Sequence, residues 1–191
     1  TRFTEFYGNW KATDRQWNEQ KIIHAARQAL TSHEPSLSTF GVDVGITSKH
    51  PAMVFFDDLI DYETLSEASI TAAKTCYSST AYAIRESTME WLVGTIYTED
   101  DVISERLKVD GVASWDGLPP PLAEYTPRPE GLWHVYFLQG RTPKGKAMLP
   151  EVWSEERMQV RQAAEPAYFA SQVMNMPSRG GHQPLTEEQI K

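Results

Sequence analysis

The chain has 191 residues, of which 18 are basic and 26 acidic, giving a formal net charge of −8. Hydrophobic residues make up 40 % and charged residues 23 %, a globular composition that excludes a fibrous or disordered chain, and the length suits one domain with at most a short appendage. No apolar run approaches the roughly 20 residues of a membrane span, and the acidic balance argues against a protein that coats nucleic acid through its bulk field, while leaving room for a local basic patch.

The single cysteine, Cys76, rules out an internal disulfide and fits a reducing compartment. The chain starts at Thr1 with no signal-peptide pattern, so a processed product or an excised piece is expected.

In chain order, Asp14 to Leu30 carries apolar residues at helical period (Trp17, Ile22, Ala25, Ala26, Ala29, Leu30) with Thr13 or Asp14 as cap, and predicts a helix. Ser36 to Val44 reads as a strand, followed by a polar turn over Gly45 to Pro51. Ala52 to Phe56 is a continuous apolar run that stops at Asp57-Asp58, which predicts a strand buried on both faces. Leu65 to Ile84 predicts one long helix, Met89 to Thr95 a second core strand and Glu99 to Lys108 a short helix. Strand, helix, strand, helix is the pattern of an α/β parallel sheet.

Val109 to Gly131 holds five prolines and three glycines and reads as a long surface excursion. Leu132 to Gln139 predicts a third strand, Ser154 to Glu165 a charged helix capped by Ser154, and Pro166 to Asn175 another helix. Residues 178–191 read as a polar linker or tail.

The strongest chemical signal is the strand running into Asp57-Asp58. In open α/β sheets ligands bind at the carboxyl ends of strands. Two carboxylates there suit a hydrated Mg²⁺ carrying phosphates, since Mg²⁺ takes hard oxygen ligands and keeps several waters. In nucleotide hydrolases one acid holds the metal shell and its neighbour orients or deprotonates the attacking water. A solvated Asp-Asp turn would leave the same residues at the same spacing.

Gly94-Thr95 at the end of the next strand offers a close approach and a hydroxyl. The acids after it, Asp100 and Asp101, read better as helix-start residues, with Thr98 as cap.

Gly140 to Lys146 fits G-x-x-x-x-G-K, but Ala147 replaces the Ser or Thr that binds magnesium and Pro150 follows closely. A basic hairpin or loop is the expected reading. The five histidines show no metal spacing.

Taken in order, these segments resemble the large terminase subunit of tailed bacteriophages. Glu34 to Asp61 resembles the stretch into the Walker B strand. Trp91 to Asp101 resembles the coupling motif. Leu149 to Trp153, the charged helix, and Ala167 to Pro177 resemble the segment that closes the ATPase domain. The resemblance covers Glu34 to Pro177 and rests on the order of short motifs.

It implies a P-loop NTPase-like parallel sheet with flanking helices, here lacking the Walker A segment. Residues 1–177 would be a portion of the ATPase domain, and 178–191 a tail toward a missing nuclease domain. The function implied is ATP-driven packaging of double-stranded viral DNA into a procapsid, with this chain alone inactive.

Asp57 would be the magnesium aspartate, and Asp58 would stand where many members have the catalytic glutamate, with Glu63 and Glu67 as nearby substitutes. Gly94 and Thr95 would sense the γ-phosphate. ATP and Mg would be the cofactors. A portal protein and a small terminase subunit would be partners of a homo-oligomeric ring in the host cytoplasm, away from membranes.

Arg141, Lys144 and Lys146, the compact basic cluster, are candidate DNA contacts. Two alternatives remain at this point. One is an RNase H-like metal-dependent nuclease using Asp43 with Asp57-Asp58. The other is a non-catalytic assembly fragment.

Overall fold

In a computed structural model, the residues described are 5, 11, 17–25, 35–44, 46, 49–117 and 125–177. Among the described residues the protein is mixed α/β, built on three strand pairs. Strands β1 (Lys21–Ile22) and β2 (Leu37–Ser38) form a small antiparallel pair. Strands β3 (Met53–Asp57) and β4 (Met89–Val93) pair in parallel, joined by helix α1 (Glu67–Ala83). Helix α2 (Val102–Val109) then leads to a second parallel pair, β5 (Val112–Gly117) with β6 (Trp133–Phe137). Helices α3 (Glu155–Ala164) and α4 (Pro166–Tyr168) follow, and the chain continues as a π-helical turn over Phe169–Val173. Among the described residues no helix is long and apolar enough to cross a membrane.

The expected βαβ core is present. Helix α1 starts where Ser66 caps it, its side chain accepting from the Ser69 N–H while the Ser69 hydroxyl accepts from the Ser66 N–H. The inner face of β3 packs Val54 and Phe56 against α1, with the Phe56 and Tyr77 rings 5.0 Å apart. The Tyr77 hydroxyl donates to Glu90 on β4, and burial together with that carboxylate holds the phenol well above its ordinary pKa. Lys74 on α1 bridges to Glu105 on α2 at 2.6 Å, which holds the Glu105 carboxyl below its usual range.

Four expectations need correction. First, the apolar run of β3 is not buried on both faces: Met53 and Phe55 are 53 % and 56 % exposed while Val54 and Phe56 are buried. The strand is covered by α1 on one side only. Second, the described part of Asp14–Leu30 is a hairpin rather than a helix. The Asn18 side chain accepts from the N–H groups of Gln20 and Lys21, a local turn that competes with helix for the same backbone donors. Third, the proline-rich excursion contains β5, which pairs with the expected β6. Fourth, of Ser36–Val44 only Leu37–Ser38 is strand, and the chain turns at Gly41–Val44. The end of the Asp14–Leu30 segment and the expected tail lie outside the described residues.

A second core gathers Ile96, Leu107, Val112, Tyr125 and Phe137 between α2 and the β5–β6 pair. A third, of Ala147, Met158 and Phe169, ties the Gly140 region to α3 and the π-helical turn.

Candidate functional site

Parallel pairing puts the carboxyl ends of β3 and β4 side by side, with Asp57 in register with Val93. The chain leaves β3 through Asp58, whose φ of 42° is left-handed, a region that Asp and Asn enter more readily than other side chains. The Asp58 N–H still donates to the Val93 carbonyl at 3.1 Å, so the turn stays hooked to β4. Gly94 lacks the side chain that would crowd this turn: a Cβ there would lie 3.4 Å from the Asp58 Oδ1 and 3.3 Å from the Ile103 Cδ1.

Asp58, Gly94 and Thr95 therefore line one crevice, closed by Leu59, Ile60 and the start of α2. Its volume of about 10 Å³ holds roughly one water molecule. Of the four residues read as the catalytic and sensing set, three meet here. Asp57 is next door: it is exposed, continues the outward alternation of Met53 and Phe55, and does not line the crevice. Glu63 and Glu67 are exposed and do not line it either.

Partial burial pushes the Asp58 pKa up from its ordinary value, and the charges of Asp57 and Asp61 push it further. The acid end is thus short of positive charge, and its donors are hard carboxylate oxygens. That chemistry fits a hydrated Mg²⁺ held by one or two carboxylates. It does not fit a closed metal cage: among the described residues no three His, Cys, Asp or Glu side chains converge.

The segment after Thr95 is fixed by Asp101, which is 1 % exposed. Its carboxylate accepts from the N–H groups of Tyr97 at 2.7 Å, Thr98 at 3.1 Å and Ser104 at 2.8 Å. Burial raises its pKa and these amide donors oppose the rise. Asp101 is the N-cap of α2, so it is a structural acid as read, but the cap is Asp101 rather than Thr98 and the helix begins three residues later than expected.

Gly140 to Ala147 is a basic hairpin. Arg141 and Ala147 form an antiparallel bridge, the next helix starts at Glu155, and nothing resembles a phosphate loop opening a helix. Arg141 donates to Glu155 at 2.7 Å, and the Ala147 N–H donates to the same carboxylate, which lowers its pKa. Of the three cations proposed to touch DNA, Arg141 is thus engaged internally, while Lys144 and Lys146 stand exposed at the tip. None of the three lines the crevice.

Asp43 sits in the Gly41–Val44 turn, outside any described strand. Sequence reasoning missed two connectors, Glu155, which holds the hairpin from the start of α3, and Asn175, whose Oδ1 accepts from the Ile96 N–H at 2.8 Å. Neither has a local signal, because each works across a long sequence separation. Comparison with protein-family models, curated proteins and solved structures finds no match.

Proposed function

We propose that the chain is part of an ATP-driven viral DNA-packaging motor, the ATPase portion of a large terminase subunit acting on double-stranded DNA. The observation that supports this reading is the meeting of Asp58, Gly94 and Thr95 in one crevice at the carboxyl ends of adjacent parallel strands. That is where an α/β sheet binds its ligand. It unites two of the segments on which the resemblance rests.

In this reading Mg-ATP supplies the phosphoanhydride whose cleavage drives movement. The residues of this chain do the rest. Asp57 supplies a hard oxygen ligand at the strand end. Asp58, with its raised pKa, is placed to orient or accept a proton from a water held in the crevice. Thr95 lines the same crevice, so a change in the occupant is felt at the start of the Ile96–Asp101 segment. Lys144 and Lys146 offer charge to DNA phosphates.

The chain by itself, without a phosphate loop, binds a fluorescent ATP analogue weakly or not at all. In the full-length protein, Asp57→Ala and Asp58→Asn each lower DNA-stimulated ATP hydrolysis by about 10²-fold or more. Unchanged turnover in both variants would sink the assignment. Manganese-dependent plasmid cutting by this chain, lost on Asp43→Ala, would replace it with the nuclease reading.

A further inference from the structure

Two residues beyond the π-helical turn stands a residue in an unusual conformation, and it reaches back across the molecule. Asn175 has a φ of 50°, and its side-chain oxygen accepts from the Ile96 N–H, 79 positions away. Ile96 follows Thr95 directly and is 3 % exposed. Its two successors are held locally, since the N–H groups of Tyr97 and Thr98 go to Asp101. The Ile96 amide, beside the candidate sensing threonine, thus has its acceptor on a remote segment.

The same C-terminal segment also touches the chain just beyond the Asp58–Asp61 turn. Tyr168 meets Tyr62 edge-on with ring centroids 4.8 Å apart, and Tyr62 follows the Asp58–Asp61 turn. Asn175 is itself well seated: its N–H donates to the Ser171 carbonyl, and the Met176 N–H donates to that of Ala170. The segment is also joined to the basic hairpin, where the Gly140 N–H donates to the Val173 carbonyl at 2.6 Å. π-helical turns are rare and recur at functional positions, and Asn175 follows this one by two residues.

We propose that Asn175 is a positioning residue that ties the Gly94–Thr95 loop to the C-terminal segment, so that the two shift together. Its geometric part stands by itself. Its functional part rests on reading the crevice as the nucleotide-responsive site. The residue has two separable features, a left-handed backbone and an acceptor oxygen. Glycine keeps the first and removes the second, whereas aspartate keeps an acceptor.

The test is residue-resolved amide exchange by NMR on the full 191-residue chain, with Tyr97 and Thr98 as internal controls. In Asn175→Gly the Ile96 amide exchanges faster, on the order of tenfold, while Tyr97 and Thr98 keep their wild-type rates. Asn175→Asp restores Ile96 protection. Wild-type protection of Ile96 in Asn175→Gly would overturn the tie. So would equal loss at all three amides, because the role would then be general packing.

A Mg²⁺ titration of the wild-type chain tests the functional part. Shifts at Thr95 and Ile96 are accompanied by shifts of the Asn175 side-chain amide and of Met176, and the Met176 shift disappears in Asn175→Gly. Shifts confined to residues 94–96 in the wild type overturn the coupling. A silent titration at Asp58, Gly94 and Thr95 overturns the metal reading of the crevice instead, and the exchange rates then decide the tie alone.

Discussion

Strands β3 and β4 turn Met53, Phe55, Met89, Trp91 and Val93 outward, each between 42 and 56 % exposed, with Phe55 and Trp91 stacked at 6.5 Å. Strands β5 and β6, also a parallel pair, turn Asp116, His134 and Tyr136 outward, and Ser114 is bonded to the His134 Nδ1 at 2.6 Å. Their ends differ as well. Beyond β3 the left-handed Asp58 opens a crevice against Gly94. β5 closes at Gly117, where a Cβ would lie 2.4 Å from the Phe137 carbonyl oxygen. Parallel pairs are ordinarily covered on both faces, and a contiguous apolar face of this kind marks an interaction surface. The β5–β6 face mixes Asp116 and His134 with Tyr136, which is 70 % exposed, and β6 is flanked by the exposed Leu132 and Leu138, whereas the β3–β4 face is apolar up to Asp57. Among the described residues, the pair that carries the candidate site is the one with the more continuous exposed apolar face.

The largest effect that sharpens this contrast separates two adjacent residues. Phe56→Ala empties a buried position against Tyr77 and lowers stability by ~3–5 kcal/mol in urea unfolding. Phe55→Ala, one residue earlier on the outer face, costs under about 1 kcal/mol. Equal costs would mean that the outer face is covered, and the contrast would fail.

A second experiment compares the outer faces directly. The wild-type chain binds the apolar dye ANS, and Phe55→Ser with Trp91→Ser removes more than about half of the fluorescence. Ser114→Ala with Tyr136→Ser, on the more polar face, removes a smaller share. An equal loss in the second variant would show that the two faces are equally apolar to the dye.

The smallest effect concerns the strand ends. The Asp58 pKa is raised in the folded state, so folding is favoured when this carboxyl is protonated. That stability is complete below the ordinary value of 3.8 and is lost as pH rises through the raised value. Asp58→Asn removes the charge and keeps a residue type suited to φ of 42°. Thermal melts at pH 7 then show a small gain in stability over wild type, kept small by solvent screening of this exposed group, and the gain fades as pH falls through the raised value and is gone below 3.8. A variant less stable than wild type at pH 7 would show that the charge is welcome there.

What could be read from the residues follows the range over which each interaction acts. The apolar runs ending at Asp57-Asp58 and Gly94-Thr95 made the parallel pair and its loaded end legible, because both signals are continuous in the chain. The Ser154 cap was legible for the same reason. The Asp14–Leu30 segment misled because apolar spacing outweighed one asparagine, and the Asn18 side chain decides that backbone locally. β5 was hidden by averaging, since Val112 to Gly117 lies in the same stretch as the run Pro119-Pro120-Pro121. The outward exposure of β3 depends on what lies beyond the strand, and Asn175 on a partner 79 residues away. Neither leaves a local trace.

The buried Asp101 carboxylate has a mechanical consequence. It fastens Tyr97, Thr98 and Ser104 into one block, while Val93 is fastened by the β3–β4 ladder and by Asp58. Between these two stiff posts stand Gly94, Thr95 and Ile96. Whatever occupies the crevice can therefore be accommodated over three residues only. A displacement of an ångström at Thr95 cannot be spread along the loop and must be taken up in the torsions of that short link or passed to its anchors.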